Sequence, residues 1–177
     1  MPELPEGWFA AGGVLTGFVA KSLADLLQHR FVSERERAAR EAAAKSQMQE
    51  RRDAFQRQTL LALQEALMDL ARTEGSMQTH DVRAFRETNQ WHKNRYGEEL
   101  SEQNRIANAL ISKLVVRVRD DRVRQQVQLF RDNAFRVFSS SSLSESEQAL
   151  TKMGAELEAA NQRIGEILRT LDEHYAE

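Results

Sequence analysis

The stretch LTKMGAELEAANQRIGEILRTLDEHY, residues 150–175, decides the fold class, because its apolar side chains recur every three or four residues. The recurring positions are Leu150, Met153, Leu157, Ala160, Ile164, Ile167, Leu171 and Tyr175. Such spacing places these side chains on one face of an α-helix, as in coiled coils and helical bundles. Ser144 and Glu147 precede the stripe at the spacing of a capping box, which predicts that the helix begins there.

A second apolar stripe predicts a core-facing helix earlier in the chain. Its members are Leu60, Leu63, Leu67 and Leu70. We expect this helix to stop near Gly75, because the following GSMQTHD sequence contains turn-forming residues and Asp81 can cap a new helix. That new helix should run from about Val82 to Val118, and Gly97 is a candidate for a bend in it.

A third helix is expected after Asp120 and Asp121, which can both cap it. Its apolar positions are Val123, Val127, Phe130, Ala134 and Phe138. The polar run from Ser139 to Ser142 predicts a loop before the last helix. The chain is therefore predicted to be all-α, with an antiparallel bundle of coiled-coil-like helices over residues 55–177, in which only the third helix is short.

The overall composition excludes several kinds of site. The chain has 177 residues, no cysteine, and a formal net charge of -2 from 25 basic and 27 acidic side chains. The absence of cysteine excludes disulfide scaffolds, thiolate metal centres and cysteine nucleophiles. A charge so close to balance gives no general attraction to nucleic acid, so we expect no nucleic-acid partner.

Residues 31–54 predict a charged helical stalk. Their central sequence, ERERAAREAAAKSQMQERRD at 34–53, is rich in helix-forming Ala, Arg and Glu, and Met48 is its only large apolar residue. Glu36 and Arg40 have the spacing of a stabilising ion pair one turn apart. The arginines could instead bind anionic lipid or nucleic acid, but the interleaved acids favour a solvated face.

Residues 1–30 are predicted to form a membrane anchor, and membrane lipid is the expected partner of this segment. A helix needs ~20 mostly apolar residues to span a bilayer. The window Gly7–Leu27 reaches that length only if Lys21 and Asp25, which are one turn apart and can pair, are tolerated inside it.

The residues around this window favour an inner-membrane, single-pass protein. Trp8 stands where an interfacial aromatic side chain belongs, and Gly13 with Gly17 forms a GxxxG pair that allows close helix packing in lipid. Arginines that follow the window predict a cytoplasmic C-terminal body. They are Arg30, Arg35, Arg37 and Arg40. The alternative is a cytoplasmic protein that buries the same helix in a core or on a partner.

The segment from Trp8 to Glu65 resembles the start of many uncharacterised bacterial proteins. In those proteins a glycine-containing apolar helix leads into an Arg/Glu/Ala-rich helix and a short stretch like ERRDAF, which is Glu50–Phe55 in this chain. The resemblance covers about a third of the chain. It implies a membrane-tethered protein with a charged helical body, and it implies no activity and no site residues.

The sequence contains no recognisable catalytic, cofactor or metal motif. Neither the Glu-x-x-His pairs of di-iron bundles nor HExxH occurs, and the glycines Gly12 and Gly17 lack the Lys and Ser/Thr of a phosphate loop. We therefore assign no catalytic, cofactor-binding or metal-binding residue, and we expect neither a cofactor nor enzymatic activity.

The densest mixture of aromatic and basic side chains lies at residues 91–96, WHKNRY. Trp91, Arg95 and Tyr96 are residue types favoured in interaction hot spots, so they form a candidate partner patch. The other interpretation is that Trp91 and Tyr96 pack at a helix junction, which is the more common place for large aromatic side chains.

These observations predict a non-enzymatic, membrane-tethered helical interaction or scaffold protein. The regular seam after Leu150 also suggests a homo-oligomer or a helical protein partner. The alternatives are a soluble helical adaptor that docks through its N-terminal apolar helix, and a small-molecule-sensing helical bundle.

Overall fold

The computed structural model describes the backbone of residues 7–91 and 96–173, and the side chains of 34–91 and 96–173. These residues form four α-helices and no strand, which confirms the predicted all-α class. The helices are α1 (Gly7–Thr88), α2 (Glu98–Val115), α3 (Asp121–Ser139) and α4 (Leu143–Glu173). The chain divides into two compact units, Met1–Arg51 and Arg52–Glu177.

In the first unit, every described side chain from residue 34 to 51 is exposed. Ion pairs one turn apart stabilise this helix locally: Arg40 Nη2 lies 3.1 Å from Glu36 Oε2, and Arg37 Nε lies 3.2 Å from Glu41 Oε1. Within the residues that the structure describes, no helix is both long enough and apolar enough to cross a membrane. The predicted anchor, residues 1–30, lies outside the described side chains.

The second unit is a helical bundle whose core is organised by the later part of α1. Nine buried positions of this helix succeed one another at alternating intervals of three and four residues. They are Asp53, Gln56, Leu60, Leu63, Leu67, Leu70, Glu74, Met77 and Asp81. The four leucines are fully buried, so the predicted leucine stripe is confirmed, and polar side chains continue it at both ends.

The predicted stop near Gly75 is wrong, because α1 continues to Thr88. Hydroxyl groups in this part bond back to the helix, as when Thr79 Oγ1 donates to the Gly75 carbonyl at 2.8 Å. Met77 and Asp81 remain on the buried face, so tertiary packing outweighs the turn-forming tendency of the residues. Asp81 is therefore a buried helix residue and not an N-cap.

The helix expected over 82–118 is also corrected, because the chain breaks inside it. Asn89 adopts a left-handed conformation with φ 52°, and its amide donates to the Phe85 carbonyl at 2.8 Å, which ends α1. Gly97 is the N-cap of α2 and not a bend within a longer helix. As a result α2 has 18 residues, and the prediction that the second helix is long is wrong.

Contacts between the helices show that each helix of the bundle is antiparallel to the one before it, in an up-down-up-down arrangement. Gln56 near the start of this part of α1 meets Arg117 beyond the end of α2, whereas Glu74 meets Asn104 near the start of α2. The other two pairs are also antiparallel. Asp120 before α3 contacts Arg163 late in α4, and Arg57 of α1 pairs with Asp172 at the end of α4. This arrangement confirms the predicted bundle.

Two helix starts show how well the capping residues were predicted. Asp120 caps α3 as expected, with its Oδ1 accepting from the Val123 amide at 2.9 Å. The cap of α4 lies two residues earlier than expected, because Ser142 Oγ accepts from the Glu145 amide at 3.3 Å. Glu145 Oε2 also accepts from the Ser141 amide at 2.9 Å, one residue before the cap.

The α4 seam packs as its spacing predicts. Met153, Ala160 and Ile164 are buried, and Leu150, Leu157 and Ile167 are partly buried against the same core. Tyr175 lies outside the described residues. Phe130 of α3 and Ile111 of α2 are fully buried in this core, so all four helices contribute to it.

Candidate functional site

The structure places Trp91 and Tyr96 of the predicted patch at the junction between α1 and α2. Trp91 Nε1 donates to the Ser140 carbonyl at 3.1 Å, and its ring meets Phe85 edge to face with centroids 6.0 Å apart. Tyr96 packs on Phe138 with centroids 6.4 Å apart. Arg95 lies outside the described residues. The two aromatic rings thus join the end of α1 to the end of α3.

The phenol of Tyr96 is tied to a buried carboxylate. Its hydroxyl donates to Asp81 Oδ2, and Asp81 is 5 % exposed. Burial, followed by this hydrogen bond, raises the pKa of Tyr96 well above its usual range. Tyr96 therefore stays a neutral phenol at neutral pH and donates its hydrogen bond to Asp81.

A polar network continues from this junction into the bundle. Glu74 is 3 % exposed, and its Oε1 accepts from Asn104 Nδ2 at 2.7 Å. Asn108 Nδ2 in turn donates to Asn104 Oδ1 at 2.9 Å. Because a buried carboxylate is costly unless it is hydrogen-bonded, this network fixes α2 against α1.

The opposite end of the bundle uses a buried amide. Gln56 Nε2 donates to the Arg117 carbonyl at 2.7 Å, and Gln56 Oε1 accepts from the Arg119 amide at 3.1 Å. Asp53, 5 % exposed, lies 3.7 Å from the Arg119 guanidinium. The Gln56 side chain of α1 thus satisfies two backbone groups of the α2–α3 connection, the Arg117 carbonyl and the Arg119 amide.

A cleft of about 450 Å³ lies between α2 and α3. Its lining includes Asn108 of α2, Arg131 and Phe135 of α3, and Glu74 of α1. It is the place where charged and aromatic side chains face a cavity together, so we treat it as the candidate binding site. Sequence reasoning missed Glu74 and Arg131 in this role.

The signal for Glu74 was present in the sequence. If the leucine interval is continued past Leu70, the next positions are Glu74, Met77 and Asp81. A carboxylate at a position that continues a stripe of buried apolar side chains is expected to be buried and hydrogen-bonded. This pattern was missed because the helix was expected to end near Gly75.

No described group of three or more His, Asp or Glu side chains could hold a metal ion. His80 is exposed on α1. Trp8, Gly13 and Gly17, the predicted membrane and helix-packing residues, belong to the helical backbone of α1, but their surroundings lie outside the described side chains.

Comparisons with protein families, curated proteins and solved structures gave no match. The resemblance to bacterial membrane-tethered proteins therefore stays a prediction.

Proposed function

We propose that this protein is a non-enzymatic interaction or scaffold protein, tethered to a membrane by its N-terminal apolar stretch and self-associating through its bundle. The observation that carries the proposal is the fully exposed helix at residues 34–51. A helix with no buried face is suited to spacing and not to packing in a core.

The sequence before and within the exposed helix at residues 34–51 supports the tether. The charge-poor window Gly7–Leu27 precedes the exposed helix, and Arg35, Arg37 and Arg40 lie in the helix itself. Basic residues next to an apolar span favour the cytoplasmic side, so the bundle is proposed to lie in the cytoplasm.

Charge segregation in the bundle supports self-association. The helix α3 carries four arginines and two aspartates, whereas α4 carries seven acidic and three basic side chains. The ion pair between these two elements does not use the surplus charges, because Arg163, a base of α4, pairs with Asp120, an acid at the cap of α3. The net charges of α3 and α4 are opposite in sign, so α4 of a second copy would complement α3.

The proposed self-association surface is the stripe Arg122, Leu129 and Arg136. These residues are spaced by seven positions on α3, and all are exposed. Leu129 is 42 % exposed between two arginines that make no ion pair among the described residues. Such a stripe fits an acidic helix with apolar side chains.

Membrane fractionation of the full chain with a C-terminal topology reporter tests the tether. We expect the protein in the membrane fraction, resistant to salt and carbonate washing, with a cytoplasmic reporter. Recovery in the soluble fraction without detergent contradicts the tether and favours the soluble adaptor instead.

Light scattering of the full chain in detergent tests self-association. The double variant Arg122→Glu/Arg136→Glu should lower the protein mass per particle, because it repels an acidic partner helix. The control Lys113→Glu changes an exposed base on α2 and should leave the mass unchanged. A monomeric wild type contradicts the self-association, and equal masses for both variants contradict the assignment of the Arg122–Leu129–Arg136 stripe as its surface.

A further inference from the structure

The α2–α3 cleft is lined by Arg131, one of whose guanidinium nitrogens has no hydrogen-bond partner among the described residues. Arg131 Nε is buried and has no acceptor, and the side chain makes no ion pair among the described residues. A guanidinium carries five N–H donors and no acceptor, so each donor needs an acceptor from another group. Buried donors without acceptors are rare in folded proteins and require an explanation.

The acids of the same cleft do not supply that acceptor. Glu74 is engaged by Asn104, and Asp132 accepts from Gln128 Nε2 at 2.8 Å. Neither forms an ion pair with Arg131. In the part of the chain that the structure describes, Arg131 is the one basic side chain that lines the cleft, and it is half-buried overall, so part of its surface is accessible to an added anion.

Aromatic surface adjoins this guanidinium. Phe135 and Phe138 stand four and seven residues after Arg131, which puts all three on one face of α3. Phe135 is 67 % exposed and Phe138 is 40 % exposed, and both line the cleft. Exposed phenyl rings beside a cavity are typical of the apolar part of a ligand site.

We propose that this cleft binds a small organic anion in which a carboxylate is joined to an aromatic ring. The carboxylate accepts hydrogen bonds from Arg131, and the ring packs against Phe135 and Phe138. A guanidinium matches the geometry of a carboxylate with two parallel hydrogen bonds. The cavity volume of about 450 Å³ is within the range of small-molecule sites.

This site does not involve the membrane tether, and its lining residues are not those of the proposed self-association stripe. It would make the protein responsive to a metabolite of this class, since a bound anion links α3 to the side of the cleft formed by α2. A ligand that binds only the folded chain also raises its thermal stability.

The test is a calorimetric titration of the full chain with phenylacetate and with its neutral analogue phenylacetamide. We expect saturable binding of the acid and binding of the amide weaker by about tenfold or more, because the amide lacks the charge that Arg131 recognises. This comparison changes only the ligand, so it does not depend on whether a variant folds.

Variants then assign the site. Arg131→Gln should weaken phenylacetate binding by about tenfold or more, and Phe135→Ala should weaken it for both ligands. The matched control Arg83→Gln removes an exposed arginine of α1 and should leave binding unchanged. The proposal is overturned by absence of saturable binding up to about 10 mM, by equal affinity for acid and amide, or by normal binding to Arg131→Gln.

Discussion

Asp120 and Arg163 connect a helix cap to a neighbouring helix through one carboxylate. Asp120 Oδ2 lies 2.6 Å from Arg163 Nη2, while Oδ1 of the same group accepts from the Val123 amide at 2.9 Å. The Arg163 hydrogen bond is the largest cause that lowers the pKa of Asp120, and the Val123 amide adds to it. The start of α3 and the late part of α4 are therefore held by the same side chain.

Two substitutions at Asp120 separate these roles. Asp120→Asn keeps a capping oxygen but loses the charge, whereas Asp120→Ala loses both and should cost about 1 kcal/mol more through the cap alone. Urea unfolding monitored by circular dichroism should rank the proteins wild type, Asn, then Ala. Equal stability of the Asn and Ala variants would show that the cap contributes nothing.

Asp120 also predicts an acid dependence. Its pKa is lowered in the folded state, so its contribution is present above the unfolded value of about 3.8 and is lost as pH falls through the folded value. The difference in unfolding free energy between wild type and Asp120→Asn should therefore shrink below about pH 4. A difference that stays constant from pH 7 to pH 3 contradicts this role.

Gly75→Ala should stabilise the bundle. Gly75 lies inside α1, and a Cβ built there meets nothing within 4 Å. Alanine in a helix interior is favoured over glycine by about 1 kcal/mol. The change is measured as a rise in melting temperature.

Gly97→Ala is the matched control, because Gly97 is the N-cap of α2 and alanine caps poorly. It should give no gain in melting temperature. A gain at position 97 but none at 75 would place the helix break at Gly75 after all.

Tyr96 should resist ionisation. In the variant Tyr175→Phe it is the only tyrosine, so phenolate absorption reports this residue alone. Burial and the hydrogen bond to Asp81 raise its pKa, so absorption should appear only above pH 10 in the folded protein and near pH 10 in denaturant. Its contribution to stability is thus present below about pH 10 and lost as pH rises further. Identical titrations in both conditions would contradict burial.

The fold was predictable where apolar side chains recur regularly along a helix. The stripes at Leu60–Leu70 and in α4 lie in the core, and Asp120 caps α3 as expected. One error lies at Gly75, where α1 continues through turn-forming residues because Met77 and Asp81 keep one face of the helix buried. Two others are the helix break between Asn89 and Gly97 and the α4 cap, which is Ser142. Local propensities amount to ~1 kcal/mol per residue, and packing of Met77 and its neighbours outweighs them.

The candidate site was less predictable. Arg131 looks like any surface arginine in the sequence, because only the approach of α2 and α3 shows that its Nε is buried. Glu74 could have been recognised from its register, as described above. Trp91 was predicted to belong either to a helix junction or to a partner patch, and its hydrogen bond to the Ser140 carbonyl joins residues 49 positions apart in the sequence, which local patterns do not reveal.

The buried stripe of α1, with leucines in its middle and polar side chains at both ends, also limits how the bundle can change in length. One helical turn is about 5.4 Å, so sliding α1 by a turn would move Glu74 away from Asn104 and Gln56 away from the Arg119 amide. The hydrogen bonds of Gln56 and Glu74 thus fix the position of α1 along its axis relative to the neighbouring helices. An insertion between Leu60 and Leu70 is compatible with both ends only if it adds a multiple of seven residues and its neighbours lengthen equally.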